Sequence, residues 1–117
     1  MKNHILINKK IESFSKEINV SGDKSLSIRL LLLASQAIGK SKIYNLLDSE
    51  DVKSSINCIK KLGISVKKKQ KYCEILGKGL NGFYYKKNLV LNTGNSGTLA
   101  RLILGLLVHS NKKIKII

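Results

Sequence analysis

The fold is decided by one stretch near the start of the chain, Ser21-Gly22-Asp23-Lys24-Ser25-Leu26-Ser27-Ile28-Arg29-Leu30-Leu31-Leu32-Leu33-Ala34-Ser35-Gln36-Ala37-Ile38-Gly39. A polar turn opens the stretch and a strongly apolar segment follows it, which predicts a helix. Asp23 or Ser25 can cap the free backbone N–H groups at its start, and Gly39 suits the left-handed residue that follows a helix end.

The start of this predicted helix has the residues of an anion-binding site. Lys24, Ser25 and Arg29 lie in its first turn and a half, and Ser25 and Arg29 share a face because they are four residues apart. A helix start already attracts anions through its unpaired N–H groups and the macrodipole. Two cations there are unfavourable for the helix itself, so they indicate a negatively charged ligand.

The composition sets limits on the class of protein. A chain of 117 residues is one domain at most, and its 43% hydrophobic content is enough for a core. The apolar run from Leu30 to Ala34 is too short to span a bilayer, and we find no signal peptide. Cys58 and Cys73 have neither metal-ligand spacing nor a CxxC pattern, which predicts free thiols in a reducing compartment and a cytoplasmic location.

The net charge of +15 raises the question of nucleic-acid binding. Few aromatic residues interleave with the lysines, however, and a stacking surface for bases would need them. We therefore interpret the charge as a solvated lysine-rich surface that attracts small acidic substrates. Of the 22 basic residues only Arg29 and Arg101 are arginine, whose planar fork binds carboxylate and phosphate in a way lysine cannot.

Strands and helices alternate along the chain, which predicts an α/β (α+β) fold. The predicted helices after the first run from Ser49 to Leu62, with Gly63 as terminator, and from Thr98 to His109. The predicted strands follow from apolar or alternating runs at 4–7, 14–20, 42–46, 64–66, 72–76, 88–92 and 113–117. The lysine-rich turn at 67–71 joins two of them in a hairpin.

A second glycine-rich turn precedes the last predicted helix. Gly94-Asn95-Ser96-Gly97-Thr98, with Arg101, follows a strand and opens a helix, as an anion-cradling loop requires. An ordinary turn with Ser96 as cap would explain the turn alone, but the anion site at Lys24 favours the functional interpretation. Two other matches fail: Gly39-Lys40-Ser41 lacks the earlier glycine of a P-loop, and the GxGxxG letters at 77–82 open no helix.

Three segments together resemble the 5-enolpyruvylshikimate-3-phosphate synthase family. They are Gly22 to Ala34, Asn45 to Asp51 and Leu91 to Arg101, which stand in the family's order and spacing and cover most of the chain. The sequence departs from the family pattern at Ser21, where proline is usual, and at Ile28, where His or Asn is usual.

The resemblance implies transfer of the enolpyruvyl group of phosphoenolpyruvate to the 5-hydroxyl of shikimate 3-phosphate, with release of phosphate. Carried over by position, Lys24 would contact both substrates, Ser25 and Arg29 would hold shikimate 3-phosphate, and the Gly97 backbone would face phosphoenolpyruvate and the competing herbicide glyphosate. The loop around Gly97 would be supported by Asn95, Ser96, Thr98 and Arg101. No metal, organic cofactor, nucleic acid or membrane is implied, and the acid–base residues stay unknown.

The resemblance also implies a fold of repeated β-α-β-α-β-β units in two domains. Residues 1–20 would be leading strands associated with the other domain, and residues 21–117 an incomplete first substrate-binding domain. We therefore expect a fragment that is inactive alone and needs the remainder of the enzyme chain. Two alternatives stay open: the sister enzyme acting on a UDP-sugar, which typically has Lys-Asn in place of Lys24-Ser25, and a small basic nucleic-acid-binding module.

Overall fold

The computed structural model describes residues 22–117 and five isolated positions before them, 6, 8, 10, 13 and 15. Apart from the single positions 6 and 15, the strands expected at 4–7 and 14–20 lie outside the described residues. The elements in chain order are α1 (Lys24–Gln36), β1 (Ile38–Tyr44), α2 (Glu50–Lys61), β2 (Ser65–Lys68), β3 (Tyr72–Lys78), β4 (Leu89–Leu91), α3 (Gly97–Leu107) and β5 (Ile114–Ile116).

The strands form two small sheets. An antiparallel sheet has the order β1-β3-β2, with Ile43 opposite Cys73 and Val66 opposite Ile75. The strands β4 and β5 pair in parallel, so α3 is the crossover connection that parallel neighbours require. This arrangement puts α3 directly after the carboxyl end of β4.

The core lies between the three-stranded sheet and the helices. Each strand presents its alternate residues to this side, and α1 and α2 pack on one another and on the sheet. The fully buried side chains include Ile28, Leu31, Ile59, Leu62, Ile75, Leu91, Leu99 and Ile103. One continuous apolar cluster thus joins both sheets and all three helices.

The predicted end of the first helix was wrong. The helix ends at Gln36, and Ala37 is extended while its N–H still bonds the Leu33 carbonyl. Gly39 does have a positive φ, +93°, but it lies within β1 opposite Gly77. Strand β3 approaches the helix end so closely that a Cβ at Gly77 would lie 2.2 Å from the Ala34 carbonyl oxygen. Because β1 must pair with β3 at this level, the chain leaves the helix three residues before Gly39.

The elements predicted after α1 are confirmed, with small shifts of their ends except in β1, which begins at Ile38, four residues before the predicted start. Ser49 caps α2 by accepting from the Val52 N–H, and Gly63 follows that helix with φ +85°. The hairpin of β2 and β3 forms around the lysine-rich turn. Both cysteines are free thiols and both are buried. No helix in the described part of the chain is long and apolar enough to cross a membrane.

Candidate functional site

The start of α1 is a capped helix end that presents a lysine. The Asp23 carboxylate accepts from the Leu26 N–H at 2.6 Å, so Asp23 rather than Ser25 is the cap. Ser25 is half-buried, and Lys24 and Arg29 are exposed. The first turn of α1 contains no acidic residue, but the Asp23 carboxylate that caps it offsets part of the positive charge of Lys24 and of the helix dipole.

The turn before α1 is held tightly against the segment that leads into α2. A Cβ at Gly22 would lie 2.5 Å from the Asn45 carbonyl oxygen, so only glycine fits there without a shift. One turn into the helix, the Ser27 hydroxyl accepts from the Leu47 N–H at 3.1 Å. The helix start is therefore fixed from two sides, which positions Lys24 and Ser25 relative to α2.

The start of α3 also has a tight turn that contains a glycine and is followed by a capped helix end. Gly94 has φ +59°, and its N–H bonds the Asn92 side-chain oxygen at 2.8 Å. Ser96 is buried and caps the helix by accepting from the Leu99 N–H at 3.1 Å. Asn95 and Gly97 are exposed beside it. The turn thus leaves Asn95 and Gly97 open to solvent, while Asn92 and Ser96 bond backbone N–H groups of the turn and of the helix start.

Arg101 lies one turn further along α3 and folds back toward the helix start. Its guanidinium nitrogens lie 3.9 Å from the place where a Cβ on Gly97 would be. Thr98 beside it is half-buried. The exposed Gly97 backbone and the Arg101 guanidinium therefore form one positively charged surface at the start of α3.

Both helix starts contact the same side of α2. Lys24 pairs with Asp51, with Nζ and Oδ2 3.2 Å apart. A Cβ on Gly94 would lie 2.9 Å from the Ser54 hydroxyl oxygen, so this turn abuts α2 as well. Asp51 and Ser54 are three residues apart on a helix, which places them on one face about 5–6 Å apart. Helix α2 is thus the common support of the two predicted anion-binding turns.

Asp51 is the residue of this arrangement that sequence analysis missed. In the sequence it stands only at the end of the segment Asn45 to Asp51 that resembles the family, and in the structure it lies with Glu50 in the first turn of α2. Its pairing with Lys24 joins residues far apart in sequence, and no local spacing signals such a contact. A weak signal did exist, because two cations at the start of α1 called for a negative neighbour as well as for a ligand.

A cleft of about 670 Å³ lies elsewhere, between α2 and the hairpin of β2 and β3. Two of its lysines have a partner within the cleft, since Lys53 and Lys68 both lie 3.6 Å from the Asp48 carboxylate. None of the predicted site residues lines this cleft. Within residues 22–117, no three His, Cys, Asp or Glu side chains gather as metal ligands do.

Comparison with known proteins shows the family to which the chain belongs. A family model described as EPSP synthase (3-phosphoshikimate 1-carboxyvinyltransferase) matches residues 8–116. A 3-phosphoshikimate 1-carboxyvinyltransferase of Alkaliphilus metalliredigens is 41% identical over 103 residues, which are 88% of this chain and 24% of that protein. A protein of the same name from Thermoanaerobacter sp. is 43% identical over 90 residues, 77% of this chain and 21% of that protein.

The fold has a matching relative among solved structures. The EPSP synthase of Acinetobacter baumannii aligns with a TM-score of 0.70 and 30% identity, covering 85% of this chain and 23% of that one. The chain therefore spans about a quarter of the length of the proteins it matches. Since the family model covers nearly all of its residues, this chain belongs to the EPSP synthase family.

Proposed function

We propose that this chain supplies part of the substrate site of a 3-phosphoshikimate 1-carboxyvinyltransferase in the shikimate pathway. The whole enzyme would transfer the enolpyruvyl group of phosphoenolpyruvate to the 5-hydroxyl of shikimate 3-phosphate and release phosphate, in the cytoplasm. The observation that carries the proposal is the family match over residues 8–116, which includes both helix starts. The remainder of the enzyme would bring the other binding groups and the acid–base groups.

Shikimate 3-phosphate would bind at the start of α1. Its carboxylate and phosphate are anions, and a helix start with Lys24 and the exposed Arg29 favours both. Arg29 would take the carboxylate, because a guanidinium donates two parallel hydrogen bonds to it. The half-buried Ser25 would donate its hydroxyl to the same ligand.

Phosphoenolpyruvate would bind between the two helix starts. The exposed backbone at Gly97 would lie against it, and Lys24 would neutralise part of its charge. Asn95 and Thr98 would shape the loop, while Ser96 and Arg101 would support it. The contacts of both turns with one face of α2, at Asp51 and Ser54, support a single shared site.

A chimera tests this function with the missing part of the enzyme present. This chain replaces the matched 103-residue segment of the Alkaliphilus metalliredigens relative, and phosphate release is measured with both substrates. We expect turnover that requires shikimate 3-phosphate and that Lys24→Met abolishes or strongly lowers. The matched control is Lys67→Met, which removes an exposed lysine from β2 and leaves the helix starts intact.

The control distinguishes a specific contact of Lys24 with the substrates from the general attraction of anions to the positively charged surface. If both lysine variants lowered turnover equally, non-specific attraction of anions would explain the result. A folded chimera without any turnover would contradict the proposed function. A folded chimera that used a UDP-sugar instead of shikimate 3-phosphate would assign the chain to the sister activity.

A further inference from the structure

The outer face of the three-stranded sheet carries two tyrosines side by side. Tyr44 ends β1 and Tyr72 begins β3, and the antiparallel register places them opposite one another. Their ring centroids lie 5.5 Å apart, with an angle of 47° between the ring planes. Their neighbours Ile43 and Cys73 are buried on the core side, whereas Tyr44 is 61% exposed. The pair therefore presents an aromatic surface to solvent at one end of the sheet.

Lysine side chains lie on both sides of the tyrosine pair. On the sheet, Lys42 Nζ lies 5.0 Å from the centroid of the Tyr72 ring, within the range of a cation–π contact. Past the end of the sheet, the turn between β2 and β3 carries the exposed Lys69 and Lys71. Both of these turn lysines and both tyrosines line the cleft of about 670 Å³ described above. Strand pairing thus gathers aromatic rings and cations that are far apart in the sequence.

The acids near the tyrosine pair are already paired with other lysines. Glu74 on the sheet lies 3.5 Å from Lys40. Asp48 in the cleft lies 3.6 Å from both Lys53 and Lys68. In the described part of the chain, no acid pairs with the three lysines beside the tyrosines. These three cations are therefore available to a negatively charged ligand.

We propose that this surface, made of Lys42, Tyr44, Lys69, Lys71 and Tyr72, binds single-stranded nucleic acid. Proteins that bind single strands combine aromatic side chains, on which bases stack, with cations that follow the phosphates. The sequence gives no sign of such a surface, because few aromatic residues interleave with the lysines that produce the net charge of +15. The sheet supplies the missing arrangement, since it places two aromatic rings among unpaired lysines.

A single strand fits this surface better than a duplex or a small anion does. In a duplex the bases are stacked inside the helix, so only its phosphates would reach the surface and the tyrosines would contribute no stacking. A small anion would need one group of lysines, whereas lysines here flank the rings both on the strand and past its end. A sheet that is covered by helices on one face and carries aromatic side chains on the other is also the platform on which RRM domains stack bases.

Binding of a labelled 12-residue thymidine oligonucleotide, measured by fluorescence anisotropy, tests the stacking contact. The purified chain of 117 residues is titrated at several salt concentrations, and Tm is recorded for every variant. We expect Tyr44→Ala to weaken binding at least about fivefold, because the loss of one stacked base has an effect of this order. The matched control is Tyr84→Ala, a tyrosine that is 76% exposed in the segment between β3 and β4, and it should leave the affinity unchanged.

The salt dependence of the same titration tests the phosphate contacts. Each phosphate contact of a single strand contributes about 0.7 to the slope of log K against log salt concentration. We therefore expect Lys69→Gln with Lys71→Gln to reduce this slope by about 1.4. The matched control is Lys86→Gln with Lys87→Gln, which removes two adjacent exposed lysines between β3 and β4 and should leave the slope unchanged. Because Lys69 and Lys71 are exposed in a turn, their substitution tests the proposal even if Tyr44→Ala lowers Tm.

Three outcomes would overturn the proposal. Equal effects of the two lysine pairs, or of the two tyrosines, would show non-specific attraction to the positively charged chain. A duplex of the same length that bound as tightly as the single strand would show that stacking plays no part. Displacement of the oligonucleotide by phosphoenolpyruvate would place it at the helix starts instead. None of these measurements uses turnover, so a failure of the proposed function would be seen separately.

Discussion

Lys24 Nζ lies 3.2 Å from Asp51 Oδ2, and this ion pair joins the first turn of α1 to the first turn of α2. The lysine side chain is 53% exposed and the aspartate side chain 19% exposed, so the pair lies at the edge of solvent. Such a pair contributes little to stability, typically less than about 1 kcal/mol. We infer that its importance is positional, because Asp51 shares a face of α2 with Ser54, against which the turn at Gly94 lies.

Removal of the Asp51 charge should therefore affect ligand binding more than stability. In the chimera we expect Asp51→Asn to lower kcat/KM for phosphoenolpyruvate several-fold while Tm changes little. The matched control is Glu50→Gln, which alters the neighbouring acid that pairs with Lys53. Tighter binding of phosphoenolpyruvate by Asp51→Asn would show instead that Asp51 competes with the substrate for Lys24.

Arg29→Lys tests the carboxylate contact at the start of α1. The substitution keeps the charge and removes the planar fork, so one charge-assisted hydrogen bond worth roughly 1.5–3 kcal/mol is lost. We expect shikimate 3-phosphate to bind about tenfold or more weakly in the chimera, measured by calorimetry. Affinity equal to that of the unsubstituted chimera would exclude Arg29 from the site.

Two glycines of the second turn should respond differently to alanine. Gly97 has room for a methyl group, so Gly97→Ala should leave Tm unchanged or slightly higher. That methyl group would, however, occupy the surface that we assign to phosphoenolpyruvate, and the KM for this substrate should rise. Unchanged KM would contradict the assignment.

The companion variant, Gly94→Ala, should act on the fold. Gly94 has φ +59°, and a Cβ there would lie 2.9 Å from the Ser54 hydroxyl oxygen. The left-handed conformation alone costs a side chain about 1–2 kcal/mol, so Tm should fall. Thermal unfolding of the two variants side by side separates the structural glycine from the one that faces the ligand.

The two buried thiols should make the free energy of unfolding decrease at alkaline pH. Burial raises the pKa of both Cys58 and Cys73, and the Cys58 thiol also donates to the Asn92 carbonyl oxygen at 3.3 Å. Because the pKa is raised in the folded state, the contribution of the two thiols to the free energy of unfolding is fully present below the ordinary thiol pKa. This contribution is lost as the pH rises above that value. We expect the free energy of unfolding to fall above about pH 9, and to fall less steeply when both cysteines are alanine. Equal slopes would contradict the prediction.

The chain by itself should show no turnover. We propose that its predicted site residues bind anions, and none of them is assigned as a general acid or base for the proton transfers of the reaction. Phosphate release from the two substrates, measured with purified residues 1–117, should therefore stay at background. Turnover that depended on both substrates would refute the fragment interpretation.

Much of this fold could be predicted from local signals. The cap at Ser49, the terminating Gly63 and the turn before α3 act within a few residues, and each was predicted where the structure has it. The first helix was predicted too long because Gly39 looks like a helix terminator. Its positive φ instead serves strand β1, and only the pairing with β3, nearly forty residues further on, determines that.

The residues of the candidate site could be predicted from the sequence, but the contacts between the segments that carry them could not. Lys24, Ser25 and Arg29 were predicted from helix physics, and the structure places them at a helix start with no acid in its first turn. The contacts of Lys24 with Asp51 and of Gly94 with Ser54 depend on how α1 and α3 pack on α2. Packing of this kind joins distant segments, and no spacing rule within one segment predicts it.

The close approach of β3 to the end of α1 has a mechanical consequence. A Cβ at Gly77 would lie 2.2 Å from the Ala34 carbonyl oxygen and 2.3 Å from that of Ala37. Any side chain there would push one end of α1 outward, and a helix of 13 residues is a rod about 20 Å long. Because the other end of α1 is fixed where Gly22 packs against the Asn45 backbone, the helix would tilt about that end, and Arg29 would move with it. Through the orientation of α1, Gly77 therefore determines the position of the Arg29 side chain.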